Sequence, residues 1–152
     1  MTEPALRELL DQRDVVDVVI ALFVATDARD WDRVEACLSD PVILDMTSLA
    51  GGAPQPLSPA QVSAGWREGL RPIDHVHHQV GNFVVRVRGD EADVACHGIA
   101  FHHRAIGGPD NVRTFVGTYD LHLRRTGGRF RIDAFKFDAR FVTGNLQLES
   151  AT

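Results

Sequence analysis

Apolar residues near the start of the chain recur at spacings of three and four. Leu6, Leu9, Leu10, Val16, Val19, Ile20, Phe23 and Val24 follow this rhythm, which predicts one amphipathic helix over residues 5–28. Thr2 stands where a cap belongs, and Pro4 falls in the first turn. Asp30 can cap a shorter helix at 31–38, with Trp31, Val34 and Leu38 as its inner face and Pro41 placed to stop it. Residues 42–46 read as a short strand, and 51–56, rich in Gly and Pro, as a loop. Ser58 and Pro59 supply the cap and first position of a further helix, which faces inward through Val62, Trp66 and Leu70 and ends before Pro72.

From residue 75 the period drops to two. Strands are predicted at 75–88, 92–104, 112–125 and 129–142, with turns at Gly89-Asp90, Gly107-Gly108-Pro109 and Gly127-Gly128. Short turns between long strands imply an antiparallel meander. Helices first and strands afterwards imply an α+β fold rather than an alternating one. A strongly curved sheet can wrap the long first helix, and the space between them is a natural pocket.

Composition narrows the function classes. The 152 residues fit one domain, 1–152, and allow a sizeable core. With 16 Lys+Arg against 21 Asp+Glu the net charge is −5, which argues against a nucleic-acid partner held by bulk charge. No apolar run approaches the ~20 residues of a membrane span. Cys37 and Cys96 are isolated and lack metal-like spacing, so they read as free buried thiols in a reducing compartment. The first residues carry no apolar signal core, and a cytoplasmic location is the expectation.

Histidine is the unusual component: 7 residues, at 75, 77, 78, 97, 102, 103 and 122. Its ordinary pKa lies nearest neutrality, which suits proton transfer. On the first long strand His78 shares a face with Val76 and Val80, so it is expected to turn inward. A base of this kind needs a carboxylate to orient it. Separately, Asp27 stands out as an acid: it follows Phe23 and Val24 at a helix C-terminus, where an anion is electrostatically disfavoured. His97, Ile99, Phe101 and His103 share one face of the next strand, which points to His103 as a second pocket residue. His75 and His77 face the same way but lack a third ligand, so no metal is expected. No Gly-x-Ser-x-Gly, Gly-x-Gly-x-x-Gly or phosphate loop occurs, so no cofactor is expected.

The segment from Val24 to Val34, with its Asp27-Ala28-Arg29-Asp30-Trp31 core, resembles SnoaL-like proteins of the nuclear transport factor 2-like superfamily. Ile43-Leu44-Asp45, His78-x-x-Gly81, the His102-His103 pair, Asp120-Leu121-His122-Leu123 and the 128–135 segment extend the likeness over nearly the whole chain, closest to the scytalone dehydratase-like branch. The resemblance implies a cone-shaped, mixed but mainly antiparallel sheet wrapped around the N-terminal helices and enclosing a deep pocket. It implies a catalytic dyad at Asp27 and His78. It places the dehydratase's second pocket histidine at His103, with His102 as the alternative one residue away, and matches a pocket asparagine to Asp120. Thr26 and Met46 stand where the dehydratase has tyrosines, and Met46 cannot donate a hydrogen bond. Thr26, Met46, Trp66, Phe101 and Asp120 are thus the expected substrate-binding set.

The expected activity is cofactor-independent elimination, isomerisation or cyclisation of a small apolar carbonyl compound of polyketide- or steroid-like type. Asp27 would fix the tautomer of His78, His78 would remove a proton, and His103 would assist departure of a hydroxyl or stabilise an enolate. Epoxide hydrolysis or ketosteroid-type isomerisation on the same scaffold, a non-catalytic ligand-binding or interaction domain, and an oxygenase β-subunit-like partner are the alternatives. The resemblance also implies a homo-oligomer, dimer or trimer.

Overall fold

A computed structural model describes residues 2–107 and 110–150. Its elements are α1 (Glu3–Ala28), α2 (Trp31–Ala36), β1 (Leu38–Asp45), α3 (Thr47–Ala50), β2 (Gln55–Leu57), α4 (Pro59–Gly69), β3 (His75–Arg88), β4 (Glu91–His103), β5 (Val112–Thr126) and β6 (Arg129–Gly144). The six strands form one mixed sheet in the order β2-β1-β6-β5-β4-β3. Only β1 and β6 run parallel; all other neighbours are antiparallel. This is the α+β architecture expected from the sequence, with the sheet curved but not closed.

Local chemistry accounts for the helices. Ser58 and Gln61 form a reciprocal capping box, with Ser58 Oγ accepting from the Gln61 N–H and Gln61 Oε1 from the Ser58 N–H. Asp30 accepts from the Arg33 N–H and caps α2. Val15, Val19, Leu22 and Phe23 of α1 pack on inward residues of the sheet, among them Val94, Cys96, Leu121, Ile132 and Phe137. A smaller cluster of Leu70, Ile73, Val76 and Leu148 closes one end.

Three sequence expectations need correction. Leu6, Leu9, Leu10, Ile20 and Val24 are not core: they stay exposed on the far side of α1, while Val15 and Leu22 complete the buried stripe. The helix carries two apolar stripes at helical spacing, and only the sheet chooses between them. Next, α2 ends at Ala36, and β1 begins at Leu38, earlier than the predicted strand. Leu38 pairs with Ile132, and the register shifts before Ile43, so Pro41 sits at an irregularity rather than stopping a helix. Finally, the expected loop at 51–56 contributes Gln55 and Pro56 to the edge strand β2. Gly108 and Pro109 of the predicted turn lie outside the described residues.

Candidate active site

The inner face of the sheet and the helices α1 and α4 enclose a cavity of about 240 Å³ that opens to solvent. Its walls are mainly apolar: Phe23 from α1, Trp66 from α4, Leu70 at the cap that follows it, and Phe135 from β6. Aromatic rings pack against one another in the floor, with Phe23 and Tyr119 ring centroids 4.7 Å apart and Trp66 set edgewise to Phe135 at 5.8 Å. Gly65 and Gly69, one turn apart on α4, leave the opposite wall low.

One hydrogen-bonded pair breaks this apolar surface. Asp27 Oδ1 lies 2.6 Å from His78 Nδ1, and Asp27 Oδ2 accepts the His78 backbone N–H at 2.8 Å. A carboxylate only accepts, so Nδ1 carries the proton; in the neutral imidazole Nε2 then holds the lone pair, on a residue that lines the cavity. The pair is mostly enclosed, and the Phe23 ring, 5.2 Å away, packs on the imidazole. The last turn of α1 repels an anion. The two N–H groups of His78 compensate, which accounts for an acid at this position.

Thr26 and Met46 also line the cavity. The Thr26 hydroxyl donates to the Leu22 carbonyl at 2.8 Å, so it offers the cavity only lone pairs.

The second histidine is His102. The inward residues of β4 are Ala92, Val94, Cys96, Gly98 and Ala100, and the next one in phase is His102, which lines the cavity. His103 and Phe101 belong to the opposite phase. Phe101 is exposed on the outer face, and neither residue reaches the cavity. The apolar stripe that pointed to them also carries Glu91, Asp93 and His97, whereas the other face is uninterruptedly small and apolar. That contrast was the available signal. Asp120 is likewise exposed on the outer face, and its neighbour Tyr119, the one tyrosine, brings a phenol to the cavity. Here too the alternation told: Tyr119, Leu121 and Leu123 point inward, against Thr118, Asp120 and His122.

Burial is the main cause that drives the His102 pKa down to about 4, followed by the adjacent Arg113 and His78. His102 is therefore neutral at pH 7. Burial also raises the Tyr119 phenol and pushes the Cys96 thiol up to about 12, so neither supplies an anion near neutrality. A second His–Asp contact, His122 Nδ1 to Asp133 Oδ1 at 2.5 Å, lies away from the cavity, where Arg124 also meets Asp133. Pairing alone does not mark a site. Among the described residues no cluster of three or more His, Cys, Asp or Glu is arranged to hold a metal ion.

A family model described as a SnoaL-like domain matches residues 7–136. The chain belongs to the SnoaL-like family. No curated protein matches it. Among solved structures, the Kfla4162 protein of Kribbella flavida is 22% identical over 95% of this chain and 99% of that one, with a TM-score of 0.89. A candidate scytalone dehydratase from Novosphingobium aromaticivorans is 13% identical, covering 91% and 89% of the two chains, at a TM-score of 0.79. The hexachlorocyclohexane dehydrochlorinase LinA-type3 of Novosphingobium barchaimii is 13% identical over 93% and 94%, at 0.76. These likenesses establish the nuclear transport factor 2-like cone for this SnoaL-like chain. No helix among its described residues is long and apolar enough to cross a membrane.

Proposed function

We propose that this SnoaL-like protein is a cofactor-independent lyase, isomerase or cyclase acting on a small apolar carbonyl compound. The observation that carries the reading is the Asp27–His78 contact at the wall of an open apolar cavity. Asp27 holds the tautomer, and His78 Nε2 takes a proton from the carbon next to the substrate carbonyl. His102, neutral, donates its remaining N–H as a hydrogen bond to the developing enolate oxygen, the role expected of His103, and in an elimination the proton taken up by His78 returns to the departing hydroxyl, which leaves as water. A neutral imidazole suits this task, because it stabilises negative charge without giving up a proton it cannot regain. Tyr119, Thr26, Met46 and Trp66 shape the binding surface. The similarity in fold to a dehydrochlorinase and a candidate dehydratase supports an elimination chemistry.

The outer face of the sheet aligns Ile99, Val116 and Phe141 across β4, β5 and β6, and Ile99 and Phe141 are exposed. Homo-oligomerisation through this face would cover them, and sedimentation velocity at micromolar concentration reads the mass directly. The reading includes one domain, 1–152, working in the cytoplasm.

The test uses proton exchange. A panel of cyclic ketones and β-hydroxy carbonyl compounds is incubated with the protein in deuterated water, and deuterium uptake or water loss is followed by NMR. Turnover of one compound that collapses in both His78→Ala and Asp27→Asn supports the dyad. Unchanged turnover in both variants removes it.

A further inference from the structure

Arg113 sits directly opposite His102 in the β4–β5 ladder, and its Nη2 lies 3.3 Å from His102 Nδ1. A guanidinium has donors only, so Nδ1 must offer its lone pair. In a neutral imidazole the proton then resides on Nε2. We propose that Arg113 and Glu149 are positioning residues that hold His102 in the Nε2–H tautomer, so that the cavity carries one imidazole that accepts a proton and one that donates a hydrogen bond. The catalytic value of this arrangement rests on the proposed dyad; the tautomer itself does not.

The supports of Arg113 are unusual for a surface ion pair. Its side chain is mostly buried, with Cζ 4.8 Å over the Phe115 ring. Nη1 donates to Glu149 Oε2 at 2.8 Å, and Nη2 pairs with Oε1 of the same carboxylate. Two parallel contacts fix the plane of the guanidinium. Arg113 Nε is buried without a partner among the described residues, so the group is turned toward His102 and Glu149 although a hydrogen bond is forgone.

Glu149 is itself held in place. Leu148 is fully buried against the Leu70–Ile73–Val76 cluster, and Arg104 Nη1 donates to the carbonyls of Leu148 and Glu149 at 2.9 and 2.6 Å. The segment after β6 thereby carries a carboxylate to Arg113, behind His102. It neutralises Arg113 while leaving one N–H for His102.

The charged groups acting on His102 are Arg113 and His78, which oppose its protonation, and Glu149 and Asp27, which favour it. His102 lies diagonally across from His78: His78 pairs with Ala100, and His102 is two residues further along the same face. Such diagonal neighbours are about 7 Å apart at Cβ, which places a small substrate within reach of both rings.

The experiment is long-range ¹H–¹⁵N NMR of histidine-labelled full-length protein, with the His102 signals assigned through His102→Gln. Wild type is expected to show a single tautomer, pyridine-like at Nδ1 and pyrrole-like at Nε2, with titration well below that of an ordinary histidine. In Arg113→Met these signals should move toward a tautomer mixture and the titration midpoint should rise; Arg113→Lys should restore much of the wild-type pattern. Glu149→Gln, at a more exposed position, should move the tautomer signals part of the way while lowering the titration midpoint, because the carboxylate favours the proton, and it decides the matter should Arg113→Met fail to fold. A proton on Nδ1 in wild type, or wild-type signals in both the Arg113→Met and Glu149→Gln variants, overturns the proposal. None of these readings needs substrate. A fixed tautomer in a protein whose activity survives His78→Ala would therefore discard the dyad and leave the positioning pair standing.

Discussion

Asp27 and His78 meet across 51 residues of chain, with the carboxylate gripping both the ring Nδ1 and the backbone N–H of the histidine. The two contacts tie the last turn of α1 to β3 and fix the imidazole plane together with its proton. Asp27→Asn keeps the shape but lets the amide donate to Nδ1, which permits the unproductive tautomer. We expect kcat to fall by about 10²–10⁴-fold, the range of a positioned base. Steady-state kinetics on a compound found in the exchange panel checks this, with circular dichroism as the control for folding.

His102 and His103 are adjacent in sequence and opposite in effect. Loss of one donor to a developing oxyanion costs about 10²–10³-fold in kcat, and His102→Gln should fall in that range. His103 does not reach the cavity, and we expect His103→Gln to change kcat by less than about twofold, as for a substitution remote from the chemistry. Equal losses in the two variants would contradict the inward phase of β4.

The neutral His102 also predicts a pH dependence of stability. Its folded pKa is depressed to about 4 from an unfolded value near 6.5. The unfolded chain therefore binds the proton first, and the folded state loses stability as pH falls from about 6.5 to 4. Above that window the contribution is fully present. Urea unfolding at a series of pH values should show a slope in this range that is shallower in His102→Gln.

Gly98 tests the seat of Tyr119. A Cβ at this position would collide with the Tyr119 ring, which lies across the inner face of β4. Gly98→Ala must displace that ring. Forced overpacking of this kind costs about 1–3 kcal/mol. Thermal unfolding measures the loss, and the near-ultraviolet circular dichroism of the tyrosine should change with it.

The capping box of α4 gives a simpler test. Ser58→Ala removes the acceptor for the Gln61 N–H and should cost about 1 kcal/mol. Chemical denaturation checks the value. Because α4 carries Trp66, Gly65 and Gly69 to the cavity, KM should rise more than kcat falls.

Much of this protein is determined by local pattern. The change of period from helical spacing to alternation, near residue 75, sets helices before strands, and the Gly-rich turns set the meander. The inward turn of His78 follows from its phase with Val76 and Val80, and the misplaced charge of Asp27 hints that it has a partner. Tertiary structure decided what pattern leaves degenerate. Two apolar stripes on α1 satisfy the same periodicity, and only packing against the sheet buries Val15 and Leu22 while leaving Leu9 and Val24 in water. Alternation by itself defines two faces of β4, and only the composition of each face, small and apolar against charged, points to the inner one; a slip of one residue exchanges His102 for His103 and Phe101. Long-range contacts such as Arg113 with Glu149 depend on where the last segment folds back, and no local spacing encodes that. Period is a property of neighbouring residues. Face, partner and proton position are properties of the packed whole.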